Sequence, residues 1–191
     1  MTDLAVAKVG DGSLVAPMSG DGCRAEPFAE HHRESLRVAC AEDADIWPIY
    51  SVSCDPEHFD ATIDDLAARP DALTFMLFDG AIFAGMSSFL RIDPRHKVLE
   101  IGFTYYRPAL RGTGFNARIK DMMLRRAFAA GYRRVEFRVD QRNGRSQAAM
   151  KKLGAVREGV RRSDTITWTG HIRSSVIYSI LPDEWPIAGN R

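Results

Sequence analysis

Hydrophobic positions recur along this chain with two distinct periods. From Phe115 to Ala130 they fall at helical spacing, with Ile119, Met122, Met123 and Phe128 as an apolar stripe. Arg118, Lys120, Asp121 and Arg125 are read as the polar side of that helix. Gly131 follows where a left-handed residue commonly stops a helix. Over Arg134–Val139 the period changes to two: Val135, Phe137 and Val139 alternate with Arg134, Glu136 and Arg138, the pattern of a strand with one buried face. The same rhythms predict a strand at Cys23–Phe28 and helices at Ala29–Ala41 and Asp55–Ala68, separated by a loop at Glu42–Tyr50. The Arg69–Pro70 break closes the second helix. Leu73–Phe78 and Ala81–Leu90 flank Asp79–Gly80 as a hairpin, and Val98–Tyr106 follows as a strand. A further helix runs from Asn143 to Leu153. Two last strands, Ala155–Arg162 and Ile172–Leu181, surround a turn at Trp168–Thr169–Gly170. A weak strand signal lies at Ser13–Ala16.

This order implies an α/β fold built on one mixed sheet. The helix between strands 98–106 and 134–139 is a right-handed crossover, which makes those two strands parallel. Hairpins on either side make the rest of the sheet mostly antiparallel, with helices on both faces. A chain of 191 residues is one domain. Its expected limits are 22–186, preceded by an extension at 1–21 and followed by a tail at 187–191. The extension is expected either to pack on the sheet or to mediate a homodimer.

Composition removes several classes of function. Hydrophobic residues make up 45% and charged residues 27%, ordinary values for a globular domain. No apolar run approaches the roughly 18 residues that cross a bilayer, so no membrane partner is expected. The first twenty residues carry Asp3, Lys8 and Asp11 in place of a basic-then-apolar leader. The 3 cysteines are odd in number and form no Cys-x-x-Cys pair. A reducing cytoplasm is the expected location.

Charge is distributed unevenly. Residues 1–100 hold 8 Lys/Arg against 18 Asp/Glu, and residues 101–191 hold 18 against 7, although the whole chain carries only +1. An anionic ligand is therefore drawn to the second half. The basic residues are scattered among core-forming positions, so a compact phosphorylated cofactor fits at least as well as nucleic acid, and the lack of an aromatic-and-basic strand motif argues against nucleic acid as a partner.

The most informative stretch is Tyr105-Tyr106-Arg107-Pro108-Ala109-Leu110-Arg111-Gly112-Thr113-Gly114-Phe115-Asn116. A helix starting at Phe115 leaves its first backbone N–H groups unpaired. Gly112 and Gly114 let a ligand approach the backbone, and the helix dipole favours an anion there. Arg111 adds a fork suited to phosphate oxygens. No nucleoside-triphosphate loop and no full dinucleotide fingerprint is present.

This loop after the last strand of a meander resembles that of the GNAT N-acetyltransferase superfamily, and within it the RimJ/RimL-like branch. Leu99–Tyr105 is similar to the strand that pairs with the pantetheine arm of CoA in that family, and Arg111–Asn116 to its pyrophosphate loop. Asn143-Gly144-Arg145-Ser146 followed by Leu153-Gly154-Ala155 is similar to its Asn-x-x-Ser helix. Val176–Ile180 and Asp183-Glu184-Trp185 look like the closing strand and tail of one subgroup. Asn116 departs from the small residue of the general motif and is a feature of that subgroup.

The resemblance implies a GNAT fold and direct transfer of an acetyl group from acetyl-CoA to a primary amine, on a small molecule or a polypeptide N-terminus. It implies a coenzyme site of Phe103, Thr104, Tyr105, Arg111, Gly112, Thr113, Gly114, Phe115, Asn116, Asn143 and Ser146. Ser146 would stand near the sulfur, with Asn143 orienting the pantetheine amide or that hydroxyl, and Glu100 either takes a proton through water or is a solvent-facing strand residue. Asn143 as a helix N-cap and Ser146 as a first-turn residue is the alternative. Trp47, Tyr50, Tyr106 and Trp168 are candidates for the acceptor wall, with one of Tyr105 and Tyr106 packed in the core. His31 and His32 are neighbours on a helix, too far apart in direction to clamp a metal, and no metal is expected. Rival readings are transfer of a longer acyl group and a non-catalytic acyl-CoA-binding or sensing module.

Overall fold

The computed structural model describes residues 14–185. The first thirteen residues, the tail at 187–191 and the Ser13 end of the expected first strand lie outside the described residues. Among the described residues eight strands form one sheet: β1 (Met18–Gly20), β2 (Cys23–Pro27), β3 (Leu73–Asp79), β4 (Ile82–Asp93), β5 (Val98–Tyr106), β6 (Arg134–Asp140), β7 (Val156–Ile166) and β8 (Ile172–Ile180). Four α-helices accompany them: α1 (Arg33–Ala41), α2 (Phe59–Ala68), α3 (Phe115–Ala129) and α4 (Gly144–Leu153). The strand order is β1-β2-β3-β4-β5-β6-β8-β7. Every neighbouring pair is antiparallel except β5 and β6. This is the mixed α/β sheet that the element order implied.

Two cores lie on opposite faces of the sheet. Phe75, Phe89, Leu99, Ile101, Val135, Phe137 and Tyr178 pack with α3 and with Met150 of α4. On the other face Met76, Met86 and Tyr105 pack with Leu36 of α1, Ile63 of α2 and Trp47. Leu14 and Met18 are buried in the first core. Burial of an apolar side chain is worth roughly 1.5–3 kcal/mol, so the segment before Cys23 contributes to the stability of the sheet it joins.

Local chemistry explains where elements begin later or elsewhere than their pattern suggests. The short leading strand falls at Met18–Gly20, beyond the weak signal at Ser13–Ala16. The second helix starts at Phe59 because the Asp55 carboxylate accepts the N–H groups of Glu57 and His58 and folds that stretch into a turn. The expected loop at Glu42–Tyr50 contains a 3-10 helix over Ala44–Ile49. Lys120, expected on the polar side of its helix, is buried at 3% exposure. Its neighbours at i+3, i+4 and i+7, Met123, Leu124 and Ala127, are fully buried, so its position belongs to the inward face.

Candidate functional site

The crossover from β5 through α3 to β6 creates the site. β5 and β6 pair only at Val98–Arg134, Leu99–Val135 and Glu100–Glu136. Beyond Glu100 β6 stays paired with β8, while β5 follows β4, so the two strands separate. A cavity of about 1520 Å³ occupies the gap, bordered by residues from β5, β6, α2, the start of α3 and α4.

β5 is bulged where it borders this gap. Gly102 faces Ser88 and Tyr105 faces Met86, which leaves Phe103 and Thr104 opposite Ser87 alone. Phe103 takes φ of 44° there. The Thr104 carbonyl accepts the Tyr50 hydroxyl at 2.7 Å. The Thr104 hydroxyl lies 2.7 Å from Ser87 Oγ and accepts from Lys120 Nζ at 2.8 Å. Burial pushes the Tyr50 phenol up to about 12 and the Lys120 amine down to about 7. Across the bulge on β4, Gly85 has φ of 135°, and a Cβ there would stand 2.2 Å from the Tyr105 carbonyl oxygen.

At one end of the cavity α3 begins. Gly112 and Gly114 take φ of 81° and 88°, a backbone that side chains disfavour. Arg111 N–H bonds Pro108 O, and Phe115 N–H reaches Thr113 Oγ1 at 3.4 Å. The N–H groups of Gly112, Thr113, Gly114 and Asn116 have no hydrogen-bond partner among the described residues. This turn therefore offers a cluster of free donors at a helix N-terminus, a ready anion site. The Arg111 side chain, expected to reach an anion, turns back to pair with Asp43 and the Tyr106 carbonyl. Among the described residues its buried Nη2 has no hydrogen-bond partner, and neither does the buried Tyr106 hydroxyl. Both residues border the cavity.

Asn143 is the N-cap of α4, its side-chain oxygen accepting Ser146 N–H at 2.9 Å. The two residues border the cavity, and the Ser146 hydroxyl bonds no other described residue. Glu100 is buried on β5 with Arg91 Nε at 3.1 Å and Arg138 Nε at 3.2 Å from the same carboxylate oxygen. Burial raises its carboxyl above the usual range, and the two guanidiniums pull it back.

The structure brings together most of the residues singled out from sequence and separates a few. Glu100, Phe103, Thr104, Tyr106, Arg111, Gly112, Gly114, Asn116, Asn143 and Ser146 border one cavity, with Tyr50 beside them. Thr113 stands outside it, its hydroxyl bonded to Leu110 O. Phe115 is buried in the first core against Tyr106, so only its backbone belongs to the turn. Tyr105 is the tyrosine of the pair that packs in the core. Trp47 corrects the expected acceptor wall: it is fully buried, stacked on Tyr105, its indole N–H bonded to Cys40 O. Trp168 also lies off the cavity, where its indole N–H holds Trp47 O at 3.0 Å and its ring covers His58. Sequence reading missed Lys120, Ser87, Arg91 and Arg138; the inward spacing of Lys120 along α3 was the one available signal.

The described residues hold no group of three or more His, Cys, Asp or Glu that could ligate a metal. No described helix is long and apolar enough to cross a membrane.

Residues 24–156 match the family model of the acetyltransferase (GNAT) domain. The chain belongs to the GNAT acetyltransferase family. A candidate acetyltransferase from T. thermophilus is 33% identical, with 89% of this chain and 91% of that one aligned at a TM-score of 0.81. A probable GNAT-family acetyltransferase from Chromobacterium violaceum ATCC 12472 is 27% identical over 90% and 88% of the two chains, at a TM-score of 0.82. Mycobacterium smegmatis RimJ in complex with CoA-disulfide shares the fold at 17% identity, with 90% and 88% aligned at a TM-score of 0.75. No curated protein matches the sequence. This GNAT acetyltransferase thus carries its free amides, its strand gap and its buried polar groups on one continuous cleft.

Proposed function

We propose that this acetyltransferase is a RimJ/RimL-like member of its family, acting in the cytoplasm on a primary amine of a small molecule or a polypeptide N-terminus. The observation that carries this reading is the turn with unpaired N–H groups at Gly112, Thr113, Gly114 and Asn116, of which Gly112, Gly114 and Asn116 border one end of a cleft that runs along bulged β5. Such a set suits a diphosphate, and a strand edge without a partner suits an extended amide-bearing arm. These features fit acetyl-CoA, which supplies the thioester when bound.

The residues of the chain then divide the work. The α3 turn anchors the anionic end through its main chain, with helix-terminus stabilisation of about 0.3–1 kcal/mol per charge, rising to about 2 when partly buried. Fixing two reactants in one cleft contributes roughly 7–11 kcal/mol to lowering the barrier. A backbone N–H near Phe103–Tyr105 polarises the acyl carbonyl. Glu100, raised by burial, accepts the amine proton through water. The Ser146 hydroxyl donates towards the departing sulfur, while Asn143 fixes the first turn of α4 beneath it.

The test is thiol release from acetyl-CoA with a panel of amines and peptide N-termini. Release above background hydrolysis is expected with at least one class. Binding of acetyl-CoA with no release from any acceptor would instead favour a non-catalytic acyl-CoA module, and faster release from longer thioesters a longer acyl donor.

A further inference from the structure

Lys120 is a buried polar group of the cleft to which the proposed acetyl transfer gives no part. It is 3% exposed, borders the cavity, and makes no ion pair with a described carboxylate. Its Nζ donates to Thr104 Oγ1 at 2.8 Å and to Ser87 Oγ at 3.3 Å, and those two hydroxyls are 2.7 Å apart. The Phe137 ring of β6 lies 6.0 Å away. An ammonium has three N–H donors, and two hydroxyls answer only two of them. A buried donor left without an acceptor costs about 1–3 kcal/mol. A charge kept in such a place without a counterion is costlier still.

Position along the fold indicates what completes the set. Lys120 lies five residues into α3, about 7.5 Å along the axis at 1.5 Å per residue. Its Nζ meets the side chain of Thr104, at the bulge of β5. A ligand held by the α3 amides and reaching that bulge must pass this nitrogen. The passing portion of acetyl-CoA is its pantetheine arm, which carries amide carbonyls and no charge.

Resting on the acetyl-CoA reading of the cleft, we propose that Lys120 is a coenzyme-binding residue whose remaining N–H donates to an amide carbonyl of the pantetheine arm. The buried amine titrates near neutrality, lowered by burial and pulled upward by Glu100 on β5; Ser87, Thr104 and Phe137, its other neighbours, carry no charge. The protonated form supplies the third donor, so binding the arm raises the pKa of this lysine.

Calorimetric titration of the full chain and of Lys120→Met with acetyl-CoA, phosphopantetheine and adenosine bisphosphate tests this. Methionine keeps the stem and removes the ammonium. Acetyl-CoA and phosphopantetheine affinities should fall about tenfold, in line with one charge-assisted hydrogen bond, while adenosine bisphosphate affinity stays within about twofold. Unchanged acetyl-CoA affinity, or an equal loss for all three ligands, overturns the proposal and leaves the coenzyme reading standing. If the unsubstituted chain binds none of the three, the coenzyme reading itself fails and takes this one with it. Should the variant not fold, nitrogen NMR of the lysine side chains in the unsubstituted protein decides. Acetyl-CoA should raise the Lys120 pKa and adenosine bisphosphate should not; no shift with acetyl-CoA refutes the contact.

Discussion

The two ends of the cleft are built from different materials. At the α3 end the donors are main-chain N–H groups, set by two left-handed glycines and a helix start within a few consecutive residues. At the far end the groups are side chains from separate segments: Tyr50 before α2, Arg91 on β4, Glu100 on β5 and Arg138 on β6. A main-chain site depends on backbone shape and tolerates most side-chain changes outside its glycines. A side-chain site depends on the packing that aims each group. The first end is therefore suited to a constant ligand, and the second to an acceptor whose identity a few substitutions could alter.

Substitutions can break this contrast at either end. The largest effect is expected from Gly114→Asp, which forces a side chain into φ of 88° and sets a carboxylate among the free amides. Acetyl-CoA binding should vanish in calorimetry, while the left-handed backbone strain, about 1–3 kcal/mol, lowers the melting temperature by several degrees without unfolding the chain. Gly85→Ala attacks the bulge between the ends, because its Cβ would meet the Tyr105 carbonyl at 2.2 Å. Backbone strain and overpacking together should cost about 3 kcal/mol in denaturant unfolding. Ser146→Ala should lower kcat by about a hundredfold, the scale of lost proton donation, and leave acetyl-CoA affinity nearly intact. Unchanged turnover would remove Ser146 from the chemistry. The smallest effect belongs to Trp168→Ala, which cuts the tie from the β7–β8 hairpin to Trp47 O. Losing that hydrogen bond should lower stability by about 1 kcal/mol in denaturant unfolding and leave acetyl-CoA affinity unchanged.

The same contrast decides what can be read from the chain. The pattern bounds Val98–Tyr106 correctly, and α3 to within one residue, because each has a clear period and turn residues at its ends, Asp93-Pro94 before the strand and Gly114 and Gly131 about the helix. The loop between them is legible since its chemistry resides in adjacent residues. The far end is not, because Arg91 and Arg138 meet at Glu100 only through the order of strands in the sheet. Trp47 looks like a cleft residue in an acidic loop, yet the 3-10 turn at Ala44–Ile49 aims it into the core beside Tyr105. Lys120 reads as a surface residue by its type, whereas its spacing sets it inward. A lysine on the stripe of Met123, Leu124 and Ala127 is buried by its helix whatever its charge.

Nitrogen–proton NMR of the backbone during an acetyl-CoA titration tests the central claim most directly. The account predicts that the Gly112, Thr113, Gly114 and Asn116 amide signals move furthest and saturate together with binding measured by calorimetry. Saturable binding that leaves those four signals in place would contradict it.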